Sequence, residues 1–109
     1  MINDVLKEKI LKICDAEDGE ICGFIVKDKN SNFDFIKVMN KHPFKGNHFL
    51  ISPLDFLQVK KEYLIEYLFH SHDNNSLFSD QDRYYQKFHN LNMLLLCKKT
   101  KIWSEMKCK

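Results

Sequence analysis

Apolar residues recur at three- and four-residue intervals from Ile2 to about Ala16, namely Ile2, Val5, Leu6, Ile10, Ile13 and Cys14. At 3.6 residues per turn they share one stripe, so this segment is predicted to be an amphipathic helix, with Asn3 or Asp4 capping its start. The acidic stretch Asp15 to Gly19 breaks the period. Within Glu20 to Lys27, the continuous run Ile21-Cys22-Gly23-Phe24-Ile25-Val26 predicts a buried strand. Asp28-Lys29-Asn30-Ser31-Asn32 is a turn cluster, and Phe33, Phe35 and the Ile36 to Met39 region predict the partner strand of a hairpin.

A loop through Pro43 and Gly46 leads into Phe49-Leu50-Ile51 and then Ser52-Pro53-Leu54-Asp55. Ser caps, Pro fits the first turn and Asp takes the third helical position, which predicts a short helix to about Glu62. Tyr63 to Phe69 is apolar except for Glu66, so it is expected to be a central strand covered on both faces, with His70 at its carboxyl end. Polar residues from Ser71 to Ser76 predict a loop and Ser79 to about His89 a helix. Asn92 to Lys98 with Lys101 to Lys107 predict a closing hairpin around Lys99-Thr100. With no internal repeat, linker or low-complexity segment, residues 1–109 are taken as a single mixed α/β domain with one core.

Composition agrees with a packed chain: 44% hydrophobic and 29% charged residues with three Gly and two Pro are unlike a disordered segment. Seventeen basic against fifteen acidic residues leave a net charge of +2, too little for a nucleic-acid-binding surface, and no nucleic-acid partner is expected. Lys98, Lys99, Lys101, Lys107 and Lys109 are read as a solvated edge. Asp4, Lys7, Glu8 and Lys9 interrupt the apolar residues near Met1, and no apolar run approaches the ~18 residues of a membrane span. A cytoplasmic protein without membrane association is therefore expected. Cys14, Cys22, Cys97 and Cys108 form no CxxC pair and read as reduced thiols rather than a disulfide framework or an all-cysteine zinc site.

The chemistry concentrates in His70-Ser71-His72-Asp73-Asn74-Asn75-Ser76-Leu77-Phe78-Ser79-Asp80-Gln81-Asp82. On extended backbone, residues two apart face one side at ~6.5 to 7 Å, so two imidazoles can converge on one ion with bonds of ~2.0 to 2.1 Å. Asp82 can supply a third ligand from the first turn of the following helix, with Asp80 and Asp73 as substitutes. One oxygen beside two nitrogens suits zinc, and three protein ligands leave a fourth position for a water whose pKa the ion lowers to roughly 7. Blander readings compete. Two histidines can simply be polar residues leaving a sheet. Ser79 and Asp82 match a capping box, an engagement that Asp82 cannot easily combine with metal ligation. Glu20, taken alone, reads as an exposed turn residue. His42, His48 and His89 have loop or helix-end explanations, and Tyr84, Tyr85 and Phe88 are read as core packing rather than base stacking.

Glu20-Ile21-Cys22-Gly23-Phe24, Asn40, Phe49 through Asp55, His70-Ser71-His72 and Ser79-Asp80-Gln81-Asp82 follow one another across nearly the whole chain. This order resembles the JAMM (MPN+) zinc metallopeptidases, in which a distant Glu precedes His-x-His, a loop and Ser-x-x-Asp. The resemblance implies a cytidine-deaminase-like JAB/MPN fold, a curved mixed β-sheet flanked by helices. It implies zinc held by His70, His72 and Asp82, Glu20 as acid and base, and Ser79 stabilising the oxyanion. The implied reaction is hydrolysis of a peptide or isopeptide bond. The implied partner is the tail of a ubiquitin-like protein or a phage tail-assembly protein, and the chain looks more like the compact prokaryotic and phage tail-assembly members than like the eukaryotic deubiquitinases. The loop from His72 to Ser79 is one residue shorter than the family's usual spacing, and Asp73 stands where Pro commonly follows the second His. A non-catalytic MPN-type scaffold is the competing expectation, against which the full Glu, His, His, Ser, Asp set argues.

Overall fold

The structure is a computed structural model and describes residues 2–44 and 48–108. Gly46 and Lys109, which entered the expected loop and the expected basic edge, lie outside the described residues. The elements run α1 (Asp4–Asp15), β1 (Cys22–Lys27), β2 (Phe33–Val38), α2 (Pro53–Glu62), β3 (Leu64–His72), α3 (Asp80–His89), β4 (Met93–Cys97) and β5 (Trp103–Met106). They form a mixed α/β arrangement of three helices and a five-stranded mixed sheet in the order β2-β1-β3-β4-β5.

Only β3 and β4 run parallel, because a parallel pair needs a long crossover and α3 provides it; the other neighbours are antiparallel. Successive side chains on a strand point to opposite faces. Ile21, Ile25, Phe69, Leu94 and Leu96 therefore pack against Leu6, Ile10 and Cys14 of α1. On the other face Cys22, Phe24, Val26, Leu68 and Met93 pack with Phe49, Ile51 and Val59 of α2. Covering on both sides accounts for the unbroken apolar runs of β1 and β4. Gly23 is required by this packing, since a Cβ there would strike the Ile36 carbonyl and the Phe35 ring of β2.

Local signals act as expected at the helix starts. Asn3 Oδ1 accepts from Leu6 N at 2.9 Å, and Ser52 Oγ accepts from Leu54 N at 3.3 Å with Pro53 opening α2. Three expectations need correction. Val5 faces solvent rather than joining the buried stripe of α1. The first half of β3 is open, with Leu64 62% exposed, so only its second half is covered on both faces. Ser71 and His72 belong to β3 and not to the following loop, because they pair with Leu96 and Cys97 of β4 while Ser71 N donates to Ile21 O at 2.9 Å. Among the described residues, no helix is long and apolar enough to cross a membrane.

Candidate metal centre

The extension of β3 through His72 places both imidazoles, two residues apart, on the α2/α3 face at the carboxyl end of the central strand. Their Nε2 atoms lie 3.2 Å apart. Directly beyond, the first turn of α3 points back at them, and Asp82 Oδ2 lies 3.1 Å from His70 Nε2 and 3.2 Å from His72 Nε2. All three side chains are buried.

Asp82 also completes a capping box. Ser79 Oγ accepts from Asp82 N at 3.0 Å, and Ser79 N donates to Asp82 Oδ2 at 2.8 Å. Capping and the approach to both histidines occur together and fall on the same oxygen, Oδ2, so the cap and the two rings share it rather than dividing the carboxylate between them. The cap in fact aims the carboxylate. Burial would raise the Asp82 pKa, but its hydrogen bonds with His70 and His72 outweigh that and hold it well below the usual carboxylate range.

Asn75 settles which His72 nitrogen faces the cluster. Its Oδ1 accepts from Leu77 N at 3.2 Å, which identifies it as oxygen, so the contact at 3.1 Å from His72 Nδ1 requires a proton on that nitrogen. Neutral His72 then aims the lone pair of Nε2 at the carboxylate of Asp82. Atoms this close need a hydrogen or an ion among them: neutral His70 can donate Nε2–H, a second proton can sit on His72 Nε2, or a metal ion can lie between all three. Burial opposes charge on His72, but Asp82 and Glu20 prevail and raise its pKa, whereas burial lowers that of His70. His70 stacks on Phe49 with ring centroids 4.6 Å apart, and its buried Nδ1 has no hydrogen-bond partner among the described residues.

Glu20 is only 5% exposed, not the open turn residue that its place before a strand suggests. Asn40 Nδ2 donates to its carbonyl at 2.9 Å, and the neighbouring Ile21 N donates to Ser71 Oγ at 2.9 Å. Glu20 Oε2 lies 4.0 Å from His72 Nε2. Burial pushes its carboxyl up to about 7; His72 opposes that shift, while Asp82 and Asp73 add to it. Glu20 separates two clefts of about 290 and 410 Å³, one lined by His72, Asn75 and Ser79 and the other by Lys37, Met39 and Asn40.

Glu20, His70 and His72 each offer an atom within 4.8 Å of the others and could hold a metal ion. Ligand spacing separates the roles more finely. Two atoms bound to one zinc at tetrahedral angles lie about 3.3 to 3.4 Å apart, and no two can exceed about 4.2 Å. The His70, His72 and Asp82 atoms, at 3.1 to 3.2 Å, match the tetrahedral value, while the 4.0 Å from Glu20 to His72 approaches the linear limit. Asp82, outside that Glu–His–His group, lies at the tetrahedral spacing from both imidazoles, and Glu20 lies farther from His72.

The remaining candidates stand elsewhere. Asp80 is exposed, and Asp73 pairs with Lys98 at 3.4 Å. His42 stacks on His48, whose Nδ1 lies 2.8 Å from Gln81 Oε1, and His89 stacks on Phe56. Tyr85 packs against Phe49, but Tyr84 and Phe88 are 69% and 72% exposed, so that trio is not a core cluster as expected. All four cysteines are free, and burial raises Cys14 to about 11 and Cys22 to about 12. Two residues of the site escaped sequence reasoning. Asn75 has a signal in hindsight, an Asx residue two before Leu77, and Ser71 is placed by period two on the face opposite the histidines. No family model matches this chain, and no curated protein matches it either.

Proposed function

We propose that the chain is a zinc-dependent metallopeptidase of the JAMM type, with the cytidine-deaminase-like JAB/MPN fold, that hydrolyses a peptide or isopeptide bond. The observation that carries this reading is the triangle of His70 Nε2, His72 Nε2 and Asp82 Oδ2, with edges of 3.1 to 3.2 Å. A zinc ion held by these atoms supplies a Lewis acid that polarises a carbonyl and activates a water. Glu20, with a carboxyl pushed up to about 7, takes a proton from the attacking water and returns it to the leaving amine. Ser79 Oγ accepts from Asp82 N and so keeps its own hydrogen for a developing oxyanion in the cleft it lines. Asn75 holds the tautomer of His72, and burial keeps His70 neutral for ligation. The order Glu, His-x-His, Ser-x-x-Asp along the chain supports the family assignment, and with it a substrate such as the tail of a ubiquitin-like or phage assembly protein.

One observation favours a second reading. A second proton on His72, at Nε2, or the Nε2–H of neutral His70 can satisfy Asp82 without a metal, as a non-catalytic scaffold of the same fold would allow. Metal analysis separates the two. The purified protein should carry about one zinc per chain, and a His70→Ala variant should lose it. A wild-type protein unable to take up zinc after dialysis against it would leave the scaffold.

A further inference from the structure

We infer that Lys98 is a positioning residue that fixes the separation between Glu20 and the His70–His72–Asp82 cluster. It does so by tying the loop before β1 to the turn after β3. The expected solvated edge fails here, since the Lys98 side chain is only 14% exposed. Its Nζ donates to Glu17 O at 2.7 Å and to Gly19 O at 3.4 Å, and lies 3.4 Å from Asp73 Oδ1. Two of its hydrogens go to the carbonyls, and Asp73 adds an ion pair to the same ammonium. Its backbone joins the same region, with Lys98 N donating to His72 O at 2.8 Å and Lys99 N to Asp73 O at 3.1 Å.

One residue after β4 thus reaches two segments far from it in sequence. Glu17 and Gly19 follow the carboxyl end of α1, where a cation is favoured, in a segment that belongs to no helix or strand and in which Gly19 takes a φ of 81°. Asn40 holds Glu20 from one side and Lys98 holds the preceding loop from the other. Asp73, where the resembled family commonly has Pro, provides the second anchor and sits directly after His72. Without the clamp, the loop's path to Glu20 would be set by Asn40, the Ile21–Ser71 pair, the half-exposed Lys37–Glu17 ion pair and the Glu17 N–H on Cys14 O.

What Glu20 does there rests on the proposed function; the clamp itself does not. Lys98→Met keeps the apolar stem and removes the donors, and Lys98→Arg restores donors. In metal-free full-length protein, amide hydrogen exchange at Ile21 and Ser71 should quicken about tenfold or more in Lys98→Met, with β4 and β5 unaffected, and should return toward wild type in Lys98→Arg. With cobalt(II) alone as the probe, the pseudocontact shifts of the Gly19 and Glu20 amides should change in Lys98→Met and be restored in Lys98→Arg. Wild-type exchange in Lys98→Met, protection lost evenly across all strands, or no recovery with Arg would overturn the clamp. A wild-type chain that binds no cobalt would instead remove the metallopeptidase reading, and the exchange measurement would still decide the role of Lys98.

Discussion

At the scale of single residues, the site depends on which atom faces which. Asn75 turns Nε2 of His72 inward, and the capping contact turns Oδ2 of Asp82 toward both rings. Glu20 lies farther from His72 than Asp82 does, 4.0 Å against 3.2 Å, so a separate role for it can be tested. Glu20→Gln should keep about one zinc per chain and abolish cleavage of a ubiquitin-like tail fusion, because the amide has nearly the same shape but cannot accept the proton. Undiminished turnover, followed on a gel, would remove Glu20 from the mechanism. Sequence patterning could propose these residues but could not bury Glu20. Its burial follows from Asn40, twenty residues away, and from Ser71, which grips the adjacent Ile21.

At the scale of elements, α3 carries two functions in its first turn, and they can be pulled apart. Ser79→Ala removes the acceptor for Asp82 N and should cost about 0.5 to 2 kcal/mol in urea unfolding while zinc is retained. Asp82→Ala removes the cap partner and, among the described residues, the only carboxylate within hydrogen-bonding distance of His70, and should lose zinc as well. Equal zinc loss in both variants would mean that the cap, not the carboxylate, governs the centre. Helices and strands were legible because their signals are local: the three-and-four spacing of α1, the Ser-Pro opening of α2, the apolar run of β1. The end of β3 was not. Ser71 and His72 look like loop residues until β4 and Ile21 pair with them from either side.

At the scale of the whole molecule, the centre joins β3, α3 and the loop before β1, so a bound ion should stabilise the fold. Zinc at a hundredfold excess over its Kd adds about 2.7 kcal/mol, and about 4 to 8 °C accompanies each kcal/mol in domains of this size. Chelation should therefore lower Tm by roughly 10 to 20 °C, and calorimetric traces that coincide with and without chelator would refute a metal held in the folded state. The same convergence separates what each level of description could decide. The sequence by itself determined element types, cap positions and the spacing that puts His70 and His72 on one face, since these depend on backbone periods and on neighbours a few residues away. Only the tertiary structure decided that Asp82 meets both imidazoles while capping its helix, that Glu20 is buried, and that Lys98 bridges two loops. Those contacts join residues ten to eighty-one positions apart, and their geometry exists only once the sheet has closed between its helices.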